Sequence, residues 1–149
     1  MRKPIIAGNW KMNKTIKESI EFAKELKEIK LDKNIEAVIC PPYTALGELA
    51  KFFANTSVAI GAQNVHYEDS GAFTGEVSAP MLKEIGVTYV IIGHSERREY
   101  FGETDHRVNQ KLLKALEANL TPIVCVGESL DQREAGITEK VLKSQMEAA

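Results

Sequence analysis

The residues of this chain whose types and spacing could do chemistry fall in four short stretches. Asn9 and Lys11 stand two apart in "AGNWKMN"; Gln63 and Asn64 adjoin; His94, Ser95 and Glu96 follow one another in "VIIGHSERR"; Cys125 and Glu128 close "TPIVCVGE". A lysine ammonium can hold an anion, an imidazole can polarise or protonate an oxygen, and a carboxylate can orient a cation or move a proton. Taken singly, each also has an ordinary structural reading. A strand-end lysine snorkels to the surface, and a histidine ahead of a helix caps it or sits satisfied in the core. Arg97 and Arg98 pair with Glu99, Glu103 or Asp105, Cys125 packs, and Glu128 precedes a helix whose dipole favours an acid. All four stretches share one context: polar groups appear directly after an apolar, β-branched run.

Those runs are the elements that must position them. "PIIAGNW", "EAVICPP", "SVAIGAQN", "TYVIIGHS" and "TPIVCVGES" are too short for helices and apolar on both alternating faces, which predicts five strands of a parallel sheet covered on both sides. Helix-period segments lie between them. In "TIKESIEFAKELKEI" the residues Phe22, Ala23, Leu26 and Ile29 form an apolar stripe, and Thr15 with Glu18 makes a capping box. "TDHRVNQKLLKALEANL" turns Val108, Leu112, Ala115 and Leu116 inward, and Ser129 with Gln132 opens a further helix in the same way. The expected order is βαβαβαβαβα in one domain, residues 1–149. Strict alternation permits an open doubly wound sheet or a closed barrel. Neither GxGxxG nor GxxxxGK[ST] follows the first strand, which disfavours a nucleotide-binding sheet. In both architectures ligands collect at the carboxyl edge of the sheet, so Gly93 ends a strand where His94, Ser95 and Glu96 emerge from the core into a site.

Composition excludes other classes. A net charge of -2 with no block of like charges leaves no footprint for nucleic acid or for a membrane surface. The stretch "MRKPIIAGNWKMN" is too short in apolar residues for a secretory leader, and no later run approaches a membrane span, so a cytoplasmic protein is expected. Cys40 and Cys125 sit in apolar runs and are expected reduced. His66, His94 and His106 have no ligand spacing, so no metal site is expected.

In their order along the chain, "AGNWKMN", "GAFTGE", "YVIIGHSERR" and "TPIVCVGE" closely resemble the triose-phosphate isomerase family, from Ile5 to the last residue. The resemblance implies a TIM (βα)8 barrel of which this chain carries the first five βα units. It also implies a homodimer that interconverts dihydroxyacetone phosphate and glyceraldehyde 3-phosphate through an enediolate, with no metal or organic cofactor. Lys11 would face the substrate phosphate and the developing enediolate, Asn9 would hydrogen-bond substrate and orient its neighbours, and Glu96, a catalytic residue with His94 and Lys11, would orient the lysine or keep account of protons. His94 would be the electrophile, a neutral imidazole at the start of the "SERR" turn whose partial positive charge opposes protonation. Residues 71–78 lie in a loop of about fifteen residues, long for a βα connection. The resemblance makes Phe73 and Thr74 of that loop dimer contacts reaching the partner's site.

A complete barrel of this kind takes about 250 residues, and no residue here matches the family's catalytic glutamate. The helical spacing of Val141, Leu142 and Met146 also runs to the end without a stop signal, so the chain is expected to be a truncated barrel, inactive alone and prone to self-association or fragment complementation. Two alternatives stand beside the isomerase reading: a non-catalytic barrel fragment acting only as a folding or assembly unit, and, more distantly, an aldolase-like barrel using Lys11 as a Schiff base.

Overall fold

The computed structural model describes residues 3–149; Met1 and Arg2, which begin the charged N-terminal stretch, lie outside the described residues. The five β-branched runs form the five expected strands: β1 (Ile5–Asn9), β2 (Glu36–Cys40), β3 (Val58–Ala62), β4 (Tyr89–Ile92) and β5 (Thr121–Val124). All pair in parallel, and their spatial order is their chain order, β1-β2-β3-β4-β5. A doubly wound sheet reverses direction at a switch point; this one does not. Five strands added in one sense, each followed by helix, make a curled half-barrel.

Alternate strand residues separate into two apolar layers, as a period of two requires. Ile39, Val58, Ile60, Ala62, Val90 and Ile92 face the helices, whereas Val38, Cys40, Tyr89 and Ile91 pack on the opposite face. The helices are α1 (Ile16–Lys27), α2 (Tyr43–Phe53), α3 (Ala79–Glu84), α4 (Ser95–Tyr100), α5 (Asp105–Glu117), α6 (Leu130–Glu134) and α7 (Thr138–Ala148). Among the described residues seven replace the expected five. The fourth and fifth connections are each split in two, with Gly102 (φ +61°) between α4 and α5 and Gly136 (φ +69°) between α6 and α7. Left-handed backbone at those glycines ends one helix and re-aims the chain for the next.

Both expected capping boxes are present, Thr15 with Glu18 and Ser129 with Gln132. Two expected core residues are not in the core. Ile29 lies beyond the C-cap of α1 and is exposed, and Leu116 is exposed on α5. On α5 the inward face carries Val108, Lys111 and Ala115, so it includes a lysine that lies outside the expected stripe of Val108, Leu112, Ala115 and Leu116. Its ammonium is held by Glu103 and by Asn64 Oδ1 at 2.8 Å, which permits its burial.

Candidate active site

At the carboxyl edge of the sheet, β1 runs straight into an unusual loop. Lys11 adopts φ +52° and Lys14 φ +72°, left-handed conformations that cost a side-chain-bearing residue roughly 1–3 kcal/mol unless neighbours hold them. The neighbours can be named. Asn9 Oδ1 accepts the Lys11 amide at 3.0 Å, and Gln63 Nε2 donates to Lys11 O at 2.9 Å and to Cys40 O at 2.8 Å. Gln63, just past β3, thereby ties the first loop to the end of β2. Further along, Trp10 meets Phe22 edge to face at 5.1 Å, and the Lys14 ammonium lies over both rings at 5.7 and 5.3 Å. Sequence reasoning marked Gln63 only as a strand-end polar group. Its clamp on Lys11 depends on two connections meeting in space.

So held, the Lys11 side chain reaches across the sheet edge to Glu96, Nζ to Oε1 at 2.6 Å. That hydrogen bond, with the lysine charge behind it, keeps the Glu96 carboxyl below the usual carboxylate range. Glu96 sits in the first turn of α4, whose N-cap is His94. The His94 Nδ1 accepts the Glu96 amide at 3.2 Å. An accepting nitrogen carries no proton, so the imidazole proton is on Nε2, free to be donated. The Glu96 Oε2 lies 3.5 Å from the same Nδ1.

Asn9, Lys11, His94 and Glu96 line one open cleft of about 290 Å³ together with Gln63, Asn64, Met12, Arg97 and Phe101 and, from the connection after β2, which was not singled out beforehand, Pro42 and Tyr43. Pro41-Pro42-Tyr43 directly after β2 was the available signal for the missed wall, because every other strand end had been read as a site edge. Tyr43 donates to Asn64 O at 2.5 Å, and burial raises its phenol well above the ordinary range. Ser95 is exposed outside this wall. Glu128 pairs with Arg133 at 3.5 Å. Cys125 is half-buried against the inner layer and Cys40 is fully buried; both are free thiols, and burial pushes Cys40 up to about 12 and Cys125 in the same direction. These are packing groups. Arg97 and Arg98 pair with Glu103 and Asp105 at 3.4 and 2.5 Å, two of the three acids expected for them.

The β3–α3 connection, residues 63–78, is long and ordered. His66 stacks on Tyr67 and Phe73, each with ring centroids 4.3 Å away, and its Nδ1 accepts the Glu68 amide at 3.0 Å. Phe73 still exposes 40% of its surface, beside an exposed Thr74. Among the described residues no group of His, Cys, Asp and Glu could hold a metal ion, and no helix is long and apolar enough to cross a membrane.

A family model described as triosephosphate isomerase matches residues 4–149. A triosephosphate isomerase of Alkaliphilus metalliredigens (strain QYMF) is 57% identical over 146 residues, 98% of this chain and 59% of the relative. One from Clostridium botulinum (strain Loch Maree / Type A3) is 58% identical over the same shares. Another from Clostridium beijerinckii is 53% identical over 148 residues, 99% of this chain and 60% of the relative. The chain spans about three-fifths of the length of these curated relatives.

Proposed function

The chain belongs to the triosephosphate isomerase family, and from that premise we propose that it supplies Asn9, Lys11, His94 and Glu96 to a site interconverting dihydroxyacetone phosphate and glyceraldehyde 3-phosphate. The observation that carries this reading is the meeting, in one cleft, of a fixed ammonium and an imidazole whose free nitrogen is a donor. The reaction moves one proton between adjacent carbons and another between the oxygens they carry. As a base removes it from one, the electron pair left behind makes an enediolate whose charge falls on the former carbonyl oxygen. His94 Nε2–H hydrogen-bonds that oxygen, and Lys11 offsets the negative charge of phosphate and enediolate. Glu96 aims Lys11, and Asn9 both hydrogen-bonds substrate and holds the Lys11 amide. The base itself is assigned to no residue of this chain.

Residues 1–149 serve in this reading as the N-terminal (βα)5 portion of one barrel domain in a cytoplasmic homodimer, with Phe73 and Thr74 as the intersubunit contact. No metal or organic cofactor takes part. The exposed Phe73 ring on an ordered loop supports the contact.

The test mixes this chain with a segment carrying the last two-fifths of the Clostridium botulinum relative and assays glyceraldehyde 3-phosphate turnover. The chain alone should be inactive and the mixture active. His94→Gln in the mixture should lower kcat by roughly 10²–10³ with little change in KM, the scale of one oxyanion donor. Lys11→Ala should damage both. Turnover unchanged by His94→Gln, or a catalytic 149-residue chain, would refute the assignment.

A further inference from the structure

His94 is only as well aimed as the backbone on either side of it, and that backbone is closely packed. Gly93 sits at φ +73° between β4 and the short α4. A Cβ built there would meet Val108 Cγ2 at 3.1 Å, Arg98 Nη2 at 3.2 Å and Cys125 O at 3.3 Å. The Arg98 guanidinium is therefore packed against the peptide that leads into His94. It also bonds to it: Nε donates to Gly93 O at 2.9 Å, while Nη1 donates to Asp105 Oδ1 at 2.5 Å. The Arg98 main-chain amide donates to His94 O at 3.1 Å. One residue thus grips His94 from both sides, by its side chain on the preceding carbonyl and by its own N–H on the following one. Asp105, first residue of α5, fixes the plane of the fork.

We infer that Arg98, oriented by Asp105, is a positioning residue for His94: it locks the Gly93 peptide so that the imidazole must present Nδ1 to the Glu96 amide and Nε2–H to the cleft. A lysine cannot replace it. The role needs two donors held in one plane, and an ammonium is a point charge on a flexible stem. The inference deepens the reading of His94 as the electrophile and rests on it, but its test does not depend on turnover.

The chain is labelled with 15N-histidine, and long-range 1H–15N spectra are recorded at neutral pH. Three histidines are present, and the His94 signals are those lost in His94→Gln. In the parent chain His94 should show one acceptor-type nitrogen, Nδ1, and one protonated nitrogen, Nε2, at well-separated shifts. In Arg98→Lys and Arg98→Met those two shifts should move toward each other as the tautomers average. The Glu96 amide should lose its hydrogen-exchange protection. His66 is an internal control, because its Nδ1 also accepts a main-chain amide, from Glu68 at 3.0 Å, remote in sequence from Arg98. Averaging at His94 with the His66 pattern intact supports the inference; two intact patterns overturn it. If both collapse because the variant unfolds, Asp105→Asn decides, since it keeps the guanidinium and loosens only its orientation. A partial shift confined to His94 supports the positioning role, and an unchanged His94 overturns it. A chain that passes this test yet fails complementation would keep the geometry and lose only the isomerase reading.

Discussion

Lys11 shows how much of a side chain's behaviour is decided by its backbone. At φ +52° a residue with a Cβ is strained, whereas glycine is not. Lys11→Gly should therefore be more stable than Lys11→Ala by about 1 kcal/mol, although both lose the ammonium. Urea denaturation of the two variants measures the difference, and equal midpoints would mean that Gln63 and Asn9 do not hold a strained residue. The partner carboxylate gives a second check. Glu96 is held below the usual range by its hydrogen bond from Lys11. A carboxyl lowered by folding contributes at neutral pH, above its unfolded value, and loses that contribution only as pH falls through the lowered folded value. The Glu96 carboxyl, followed by carbon NMR, should titrate below about 4.3, the ordinary glutamate value, and Lys11→Met should return it there. A midpoint indifferent to Lys11 would mean that the 2.6 Å contact is not kept in solution.

At the scale of elements, charges join α4, the turn after it and α5 to one another, and Lys111 reaches from them to Asn64 just past β3. Glu103 and Lys111 are both buried, with Arg97 Nε 3.4 Å from Glu103 Oε2. Burial pulls the Lys111 ammonium below its ordinary range even though Glu103 pulls the other way. Removing one partner strands a buried charge, so Lys111→Met should cost about 3–5 kcal/mol. Adding Glu103→Leu to Lys111→Met should recover part of that loss, because the stranded carboxylate goes too. A double variant at least as unstable as the sum of the singles would contradict the pairing. Helix starts were legible beforehand because a capping box is local: Thr15 and Glu18 satisfy each other's backbone within four positions. Helix faces were less so. Leu116, expected inward, is exposed, and Lys111, outside the expected stripe, is buried because Asn64 just past β3 and Glu103 in the turn before α5 make burial of an ammonium tolerable there.

For the molecule as a whole, the outer strands govern behaviour. Among the described residues β1 pairs only with β2 and β5 only with β4. Ile5 and Ile6 on β1 are 45% and 62% exposed, an uncovered apolar strand with free amide and carbonyl groups. Such an edge is a template for another chain. The 149-residue chain should self-associate in dilute buffer or capture the complementary segment of a relative. Light scattering on material of confirmed mass measures this, and a discrete monomer that gains nothing from the segment would remove the complementation proposal. Phe73→Asp should weaken pairing of the complemented assembly without altering its His94 spectrum; an unaffected dimer would take Phe73 out of the interface.

Local chemistry was enough to read the strands, the capping boxes and which polar groups stand at the strand ends. β-branched runs, capping residues and the polar groups at strand ends are encoded within a few positions of where they act. The same holds for His94 as the N-cap of the "SERR" turn. What the tertiary structure alone decided are relations between distant positions. Strand order separated a curled, sequential sheet from a doubly wound one, a choice that alternation left open. The Lys11–Glu96 pair joins residues 85 apart, and Gln63 reaches Lys11 across 52. Arg98 could have served Glu99, Glu103 or Asp105 with equal right from spacing, and it took Asp105 while its Nε turned to Gly93. A long charged side chain reaches many partners near it in sequence. Only the packing of strands and helices leaves one of them at hydrogen-bonding distance, where the geometry of the fork can be met.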